Sequence, residues 1–273
     1  MSTPTLGDYV LNFSVDLYKQ LLAENKPGEN IFFSPLSIAA ALSMVLAGAR
    51  NKTAEELRAL LHVKGEESVL QEHFSKFFGG LSKYAPDICV YVANRMYSTQ
   101  ELVVQSGYLS LLEHSYRATL RSVDFKNNHE KVRLEANAWV SEQTASKIQN
   151  LLPLGSVDSG TVLILLNAIY FKGFWESPFP SWSTRREKFY LDSHTSMEVD
   201  MMFQKESYKI GHCKELKARA LELLYRGGKA SMIIILPDDT EGLSLLEKSL
   251  SSTALSGAYK RPWRGTRSKT QRS

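Results

Sequence analysis

The stretch that decides the fold is Asn30-Ile-Phe-Phe-Ser-Pro-Leu-Ser-Ile38, which leads into a run of small and apolar residues ending at Ala49. Ser34 is a natural N-cap, because its hydroxyl can accept a hydrogen bond from the first helical turn, and Pro35 suits the first helical position. The run from 36 to 49 is apolar on every face, which indicates a buried helix. It is shorter than the ~18 to 20 residues that a bilayer span requires, so no membrane partner is expected.

Three further segments have helical signals. Apolar residues recur at helical spacing from Asp8 to Ala23. Thr53-Ala-Glu-Glu56 has the pattern of a capping box that opens another short helix. A longer apolar pattern predicts one helix from about Glu130 to Leu152.

Strand signals are concentrated in the second half of the chain. Thr161-Val-Leu-Ile-Leu-Leu-Asn-Ala-Ile-Tyr-Phe171 is almost continuously hydrophobic, which favours a strand buried on both faces. Asn167 interrupts this strand with an amide, and a buried amide needs hydrogen-bond partners. Arg226-Gly-Gly-Lys229 predicts a hairpin turn between two further strands. Helices followed by strands are the pattern of an α+β domain.

The positive charge of the chain is confined to its end. The net charge is +4, and six basic residues with no acidic one lie between Ser256 and Ser273. Without these six charges, residues 1–255 carry −2. The segment 256–273 has no periodicity, so it is expected to be a disordered basic tail. We expect it to come from a frameshifted, retained-intron or misannotated transcript end, with a genuine tail as the alternative.

The sequence offers no pattern typical of an enzyme. Its six histidines are dispersed, and Cys89 and Cys213 lie far apart without CxxC spacing. No HExxH, GxSxG, P-loop or GxGxxG string is present. We therefore predict no catalytic residues, no metal, no cofactor and no nucleic-acid partner.

Five strings occur in an order and spacing that resemble the serpin family. They are Asn30–Ile38 continuing to Ala47-Gly-Ala-Arg-Asn-Lys-Thr-Ala-Glu-Glu-Leu57, Asn137-Ala-Trp-Val-Ser-Glu-Gln-Thr-Ala-Ser-Lys-Ile148, Leu166-Asn-Ala-Ile-Tyr-Phe-Lys-Gly-Phe-Trp175, Val199-Asp-Met-Met202 and Met232-Ile-Ile-Ile-Leu-Pro237. The resemblance covers roughly residues 6 to 255. It implies a serpin fold, in which helices pack on a large, mainly antiparallel sheet A with smaller sheets B and C. Because the family pattern stops near Leu255, the fold is expected to be incomplete at its C-terminal end.

The resemblance implies inhibition of a serine or cysteine protease. A complete serpin exposes a reactive loop as bait, and the cleaved loop inserts into sheet A. Residues 1–255 are interpreted as a partial serpin domain, and the reactive-site bond is absent from this chain. The chain is therefore expected to be inactive as an inhibitor. The alternatives are a non-inhibitory serpin-like fragment and a protein that binds polyanions, such as a glycosaminoglycan, through the basic tail.

Four residues match positions that control loop insertion in the family. Ser34, Ser37 and Asn167 resemble the shutter region, which lies under the opening strands, and Trp175 resembles the breach, where insertion begins. The family supplies the shutter asparagine with a later histidine, and no residue after 255 is a histidine. The simpler readings are an N-cap for Ser34, a small helix residue for Ser37 and core packing for Trp175.

Localisation is predicted as extracellular by family resemblance, with cytoplasmic as the alternative. The first eight residues have no basic segment followed by an apolar one, so they do not resemble a secretory signal. Asn12-Phe13-Ser14 and Asn51-Lys52-Thr53 are candidate N-glycosylation sites, which matter only in a secreted protein.

Overall fold

A computed structural model describes residues 4–26, 28–260 and 271–272. These residues belong to two compact units. The first comprises the chain up to Ala85 together with Cys89–Lys172, and the second comprises Pro86–Ile88 and the chain from Gly173 onward. Helices dominate the first unit and strands the second, so the α+β prediction is confirmed.

The first unit combines helices with a three-stranded sheet. Its helices are α1 (Leu6–Glu24), α2 (Pro35–Gly48), α3 (Asn51–Leu60), α4 (Glu67–Gly80), α5 (Ser106–Tyr116) and α6 (Phe125–Gln143). Its strands are β1 (Ile88–Thr99), β2 (Thr119–Val123) and β3 (Leu163–Gly173), hydrogen-bonded in the order β2-β1-β3. β1 and β2 are parallel, with Arg95 opposite Thr119. Among the described residues, β3 is therefore an edge strand.

Helix α2 lies in the main hydrophobic core, as its sequence predicts. Ser34 is its N-cap and accepts a hydrogen bond from the Ser37 amide at 3.4 Å, and Pro35 occupies the first helical position. Ala40 and Met44 have no exposed surface and belong to a cluster that also includes residues of α1, α4 and α5. The absence of a polar face on this helix is explained by this burial.

A second cluster packs helix α6 with the sheet. Val132, Ala136 and Val140 recur every four residues on one face of α6. They are buried in one cluster with Ala93 of β1 and Leu166 of β3. Helix α6 and the sheet thus share one apolar interface.

The helix predicted from about Glu130 to Leu152 is wrong at its C-terminal end. Helix α6 ends at Gln143, because Ala145 and Ser146 have φ angles of 49° and 59°. These left-handed conformations cannot continue a right-handed helix.

The apolar residues after this break return to pack on α6. The Asn137 side chain donates to the Leu152 carbonyl and accepts from the Leu152 amide, both at 2.8 Å. Arg133 also donates to the Leu152 carbonyl at 2.8 Å. Ile148 packs against the same apolar cluster. The extended apolar pattern therefore reflects a return segment and not a continued helix.

The capping box predicted at Thr53 is also wrong. Helix α3 begins at Asn51, with Arg50 as an N-cap that makes no side-chain capping bond. The Ala49 amide still bonds to the end of α2, so the chain must turn within two residues. Asn51 makes this turn with φ of 53°, which asparagine tolerates better than most residues.

The second unit is mainly antiparallel sheet. Its elements are β4 (Arg185–Tyr190), β5 (Ser196–Met201), β6 (Phe203–Gln204), β7 (Lys209–Cys213), β8 (Ala218–Leu224), β9 (Ser231–Pro237), α7 (Leu243–Ser249), α8 (Ser252–Lys260) and β10 (Gln271–Arg272). β4 pairs with β5, β6 with β10, and β7-β8-β9 form a three-stranded sheet. The hairpin predicted at Arg226–Lys229 joins β8 to β9 and is confirmed.

Helix α8 enters the segment that the sequence assigns to a basic tail. Ala254 and Ala258 are four residues apart and are both buried against the β7-β8-β9 sheet. Residues 256–260 are therefore helical, because this apolar spacing continues past Leu255. Residues 261–270 and 273 of the predicted tail lie outside the described residues. Among the described residues, no helix is both long and apolar enough to cross a bilayer.

Candidate functional site

A chain of hydrogen bonds links helix α2 to strands β3 and β1. The Ser37 hydroxyl donates to Oδ1 of Asn167, which joins α2 to β3. Nδ2 of Asn167 donates to Oδ1 of Asn94 at 2.6 Å, which joins β3 to β1. Only 8% of Ser37 and 3% of Asn94 are exposed, so water does not replace these partners. Both atoms of the Asn167 amide are thus satisfied.

The chain of bonds continues to the end of helix α5. Nδ2 of Asn94 donates to the Tyr116 carbonyl at 2.9 Å. The Tyr116 hydroxyl shares a hydrogen bond of 2.6 Å with Ser43 of α2. Burial raises the pKa of the Tyr116 phenol above its ordinary value, so the group remains neutral. We call Ser37, Asn167, Asn94 and Tyr116 the Asn167 network. It begins on α2, and the Tyr116 hydroxyl returns to α2 at Ser43.

The structure brings the three predicted shutter residues together in different ways. Ser37 and Asn167 are in direct contact. Ser34 joins them only through its bond from the Ser37 backbone, which is the N-cap role predicted for it. The resemblance implies a histidine partner for Asn167. In the described residues Oδ1 of this amide accepts from Ser37, and its Nδ2 donates to Asn94.

Trp175 lies in the second unit, where it fastens the chain after β3 to the β8–β9 hairpin. Its ring stacks on Tyr225, with ring centroids 4.5 Å apart and planes 9° from parallel. The neighbouring backbones are bonded, from the Glu176 amide to the Leu224 carbonyl at 2.9 Å and from the Arg226 amide to the Phe174 carbonyl at 2.7 Å. This predicted breach residue is therefore held by an aromatic stack and two backbone bonds.

Gly173 allows this stack to form. A Cβ atom at Gly173 would lie 2.5 Å from Cδ1 of Tyr225, a distance that real Cβ contacts essentially never show. The ring cannot move away without breaking its stack on Trp175. A glycine is thus needed at this position because of a close approach.

The two candidate glycosylation sites differ in accessibility. Asn12 is half-buried on α1, and its Nδ2 donates to the Asp8 carbonyl at 2.9 Å. Asn51 is exposed at the first position of α3. Of the two amide nitrogens, only that of Asn51 lies on an open surface.

Comparison with known proteins identifies the family of this chain. The family described as "Serpin (serine protease inhibitor)" matches residues 8–271. The chain belongs to the serpin family. The serpin resemblance found in the sequence is therefore confirmed, and so is the serpin fold.

Individual serpins are similar over most of the chain. Iris of Ixodes ricinus is 52% identical, over 92% of this chain and 67% of its own length. Leukocyte elastase inhibitor of Bos taurus is 40% identical, over 88% of this chain and 64% of its own length. Emu ovalbumin superposes with a TM-score of 0.89 at 31% identity, over 99% of this chain and 71% of its own. The chain thus spans about two thirds of the length of these curated relatives.

Two residues of the Asn167 network are missed by the sequence reasoning. Asn94 is a single amide within the apolar strand Ile88-Cys-Val-Tyr-Val-Ala-Asn-Arg-Met-Tyr97. The argument that singles out Asn167 applies equally to Asn94 and could have found it. Tyr116 contributes a backbone carbonyl, which no side-chain pattern reveals.

Proposed function

We propose that the protein provides the body of a serpin that inhibits a serine or cysteine protease. In this proposal the Asn167 network is a latch, meaning a set of hydrogen bonds that keeps sheet A closed to an entering strand. The observation that carries this proposal is that side chains of α2, β3 and β1 are joined in sequence by Ser37, Asn167 and Asn94. In a complete serpin the cleaved loop inserts into sheet A, and its entry must displace β3 relative to its neighbours. Such a displacement breaks bonds that lie between elements and leaves bonds within one element intact.

The edge position of β3 supports the same proposal. An edge strand presents unpaired backbone groups, and an extended segment can pair with them by β-augmentation. Among the described residues β3 has β1 on one side and no strand on the other. Leu163 is 41% exposed and Phe171 is 45% exposed, so an added strand would also cover apolar surface.

Trp175 has a separate role in this proposal. Its stack on Tyr225 and the flanking backbone bonds hold the chain directly after β3. In complete serpins insertion begins at the breach, so these contacts would have to loosen when a strand enters. We assign Trp175 to the breach on this basis.

The 273 residues, expressed by themselves, are proposed to be inactive as an inhibitor. Protease capture needs a reactive loop that is cut and inserted, and the resemblance to the family implies no such loop in these residues. The polypeptide would then be an inert body or a non-inhibitory assembly partner. Incubation with leukocyte elastase is expected to give no complex that survives SDS. A band of summed mass would refute this expectation.

A chimera tests the inhibitory body directly. Residues 1–255 are joined to the remaining C-terminal third of the Bos taurus leukocyte elastase inhibitor. That inhibitor is 40% identical to this chain over the matched region and is named for its action on leukocyte elastase. We expect this chimera to form an SDS-stable complex with that elastase, whereas the 273-residue chain is the negative control. A folded chimera that is only cleaved, under conditions in which the Bos taurus protein forms the complex, would rule the proposal out.

Polyanion binding is kept as a second candidate because of the six basic residues in 256–273. A Lys/Arg cluster without acidic residues attracts sulfated polysaccharides electrostatically. The measurement is the salt concentration that elutes the chain from heparin, compared with that for a full-length variant in which the six basic residues are replaced by Gln. Equal elution of the two would exclude the tail as a binding site.

An extracellular location is proposed from the serpin family, which includes secreted members, and a cytoplasmic location is the alternative. Exposure of Asn51 makes it the site that an oligosaccharide can reach, whereas Asn12 is half-buried and bonded to Asp8. After expression through a secretory pathway, we expect Asn51→Gln to remove a glycan and Asn12→Gln to leave the mass unchanged. The opposite pattern would contradict the structure.

A further inference from the structure

A groove in the first unit has the size and chemistry of a small-ligand site. It lies at the C-terminal end of α2, beside the loop from 100 to 105 that joins β1 to α5, and its volume is about 390 Å³. This volume is within the ~300–1,000 Å³ range of ligand pockets. The groove is separate from the Asn167 network, because no residue of that network lines it.

The walls of the groove are mainly apolar and partly open to solvent. Val103 is 92% exposed, Leu102 is 42% exposed and Leu163 is 41% exposed. Val45 and Met96 line the deeper part. An aliphatic chain in the groove would remove these side chains from water, which is favourable in proportion to the apolar area covered.

The polar part of the groove is electropositive. Arg50 lines this part, and its Nη1 donates a hydrogen bond to the Ala49 carbonyl at 2.6 Å. Within the described ranges no carboxylate is paired with Arg50. Glu101, on the neighbouring loop, accepts instead from the Thr99 hydroxyl and does not line the groove. The guanidinium is therefore available to an anion.

Two helix N-termini add to this positive potential. Arg50 is the N-cap of α3 and Gln105 is the N-cap of α5, and neither makes a side-chain capping bond. Both residues line the groove. The first amides of a helix are unpaired donors at the positive end of the helix dipole, which favours negative charge there. The Tyr108 hydroxyl, by contrast, is already used in a bond to the Met44 carbonyl at 2.9 Å.

We propose that this groove binds the monoanion of a fatty acid. The aliphatic chain lies among Leu102, Val103 and Leu163, and the carboxylate pairs with Arg50. The charge of the rim selects a carboxylate over a neutral alcohol of the same chain length. The apolar walls select an aliphatic acid over a small hydrophilic anion.

Titration of the 273-residue chain with dodecanoate below its micelle concentration tests this proposal. We expect saturable binding of one molecule per chain, measured by calorimetry. Arg50→Gln should weaken binding about fivefold, the upper range for an exposed ion pair. Lys52→Gln removes a nearby charge as a control. Lys52 does not line the groove and is paired with Glu56. This substitution should change binding less than about twofold.

Two further measurements separate the groove from unspecific adsorption. Val103→Gln removes an apolar wall at a side chain that is 92% exposed, so folding is not affected, and it should weaken dodecanoate binding about threefold to tenfold. Dodecanol should bind more weakly than dodecanoate to the natural chain, and Arg50→Gln should reduce this difference in affinity. Absence of saturable binding, or equal losses in Arg50→Gln and Lys52→Gln, would overturn the proposal. Far-UV circular dichroism of each variant reports its folding.

Discussion

Replacing Asn167 by alanine should destabilise the first unit strongly. The substitution removes one bond from the Ser37 hydroxyl and one bond to Oδ1 of Asn94. Both partners are buried, with 8% and 3% of their surfaces exposed, so each is left without water or protein to replace the amide. A buried polar group without a partner costs about 1–3 kcal/mol. The expected loss in the free energy of unfolding for the two groups is therefore about 2–6 kcal/mol.

A double-mutant cycle in urea measures this effect. Asn167→Ala, Asn94→Ala and the double variant are unfolded at low protein concentration, and circular dichroism gives the midpoint and slope. Because the two amides share one bond, we expect the losses to be non-additive by about 0.5–3 kcal/mol. Asn127→Ala is the matched control, since it removes only exposed bonds from the Asn127 side chain to Asp124, the N-cap of α6, and should cost less than about 1 kcal/mol.

Two results would refute the reasoning. The first is a loss for Asn167→Ala no larger than that for Asn127→Ala, since the bonds of Asn167 would then carry no net stability. The second is strict additivity of the Asn94 and Asn167 losses, since the two side chains would then act independently. Either result would also remove the structural basis of the proposed latch.

Three other perturbations test the remaining features. Gly173→Ala should lower the free energy of unfolding by about 1–3 kcal/mol, because its Cβ would lie 2.5 Å from the Tyr225 ring, and it should abolish the near-ultraviolet signal of the aromatic stack. Gly79→Ala is the control, since a Cβ there has nothing within 4 Å and should be tolerated. Leu163→Lys should reduce concentration-dependent association in light scattering, because a charge on an edge strand opposes strand pairing; unchanged scattering would contradict this. Burial raises the pKa of the Tyr116 phenol, so its contribution to stability is complete below pH of about 10 and is lost at higher pH, and Tyr116→Phe should flatten that loss.

The elements that the sequence predicts correctly depend on local signals. The N-cap Ser34 and the following proline define the start of α2, and Arg226–Lys229 defines a hairpin turn. Each signal acts within a few residues, so no knowledge of distant contacts is needed. The strings that resemble serpins add long-range information, because they place the strands in the order of a known fold.

The elements that the sequence misses depend on distant partners or lack an apolar pattern. The prediction of a helix to Leu152 fails because the return segment satisfies Asn137, a partner fifteen positions earlier. Strand β4 is mostly exposed and has four charged residues among its six, and β7 has only five residues with Gly211 at its centre, so neither shows the alternation that predicts a strand. Their hydrogen bonds to β5 and β8 compensate for weak local preference.

The candidate site is predicted in part for a related reason. An amide in an apolar strand marks Asn167 as a residue that needs partners, but the identity of those partners is set by tertiary structure. Ser37 and Asn94 are 130 and 73 positions away. The fatty-acid groove is invisible in the sequence, since its lining residues come from separate elements and have no common spacing.

The two hydrogen bonds between Asn137 and Leu152 affect the order of folding. They close a loop of 15 residues, whereas the bond between Ser37 and Asn167 closes one of 130. The longer closure costs about 2 kcal/mol more chain entropy. During refolding, the Leu152 amide should thus gain protection from hydrogen exchange before the amides of β3 do, and simultaneous protection would exclude such an early intermediate. Helix α6 and its return segment would then pack together before the sheet on which they lie has formed.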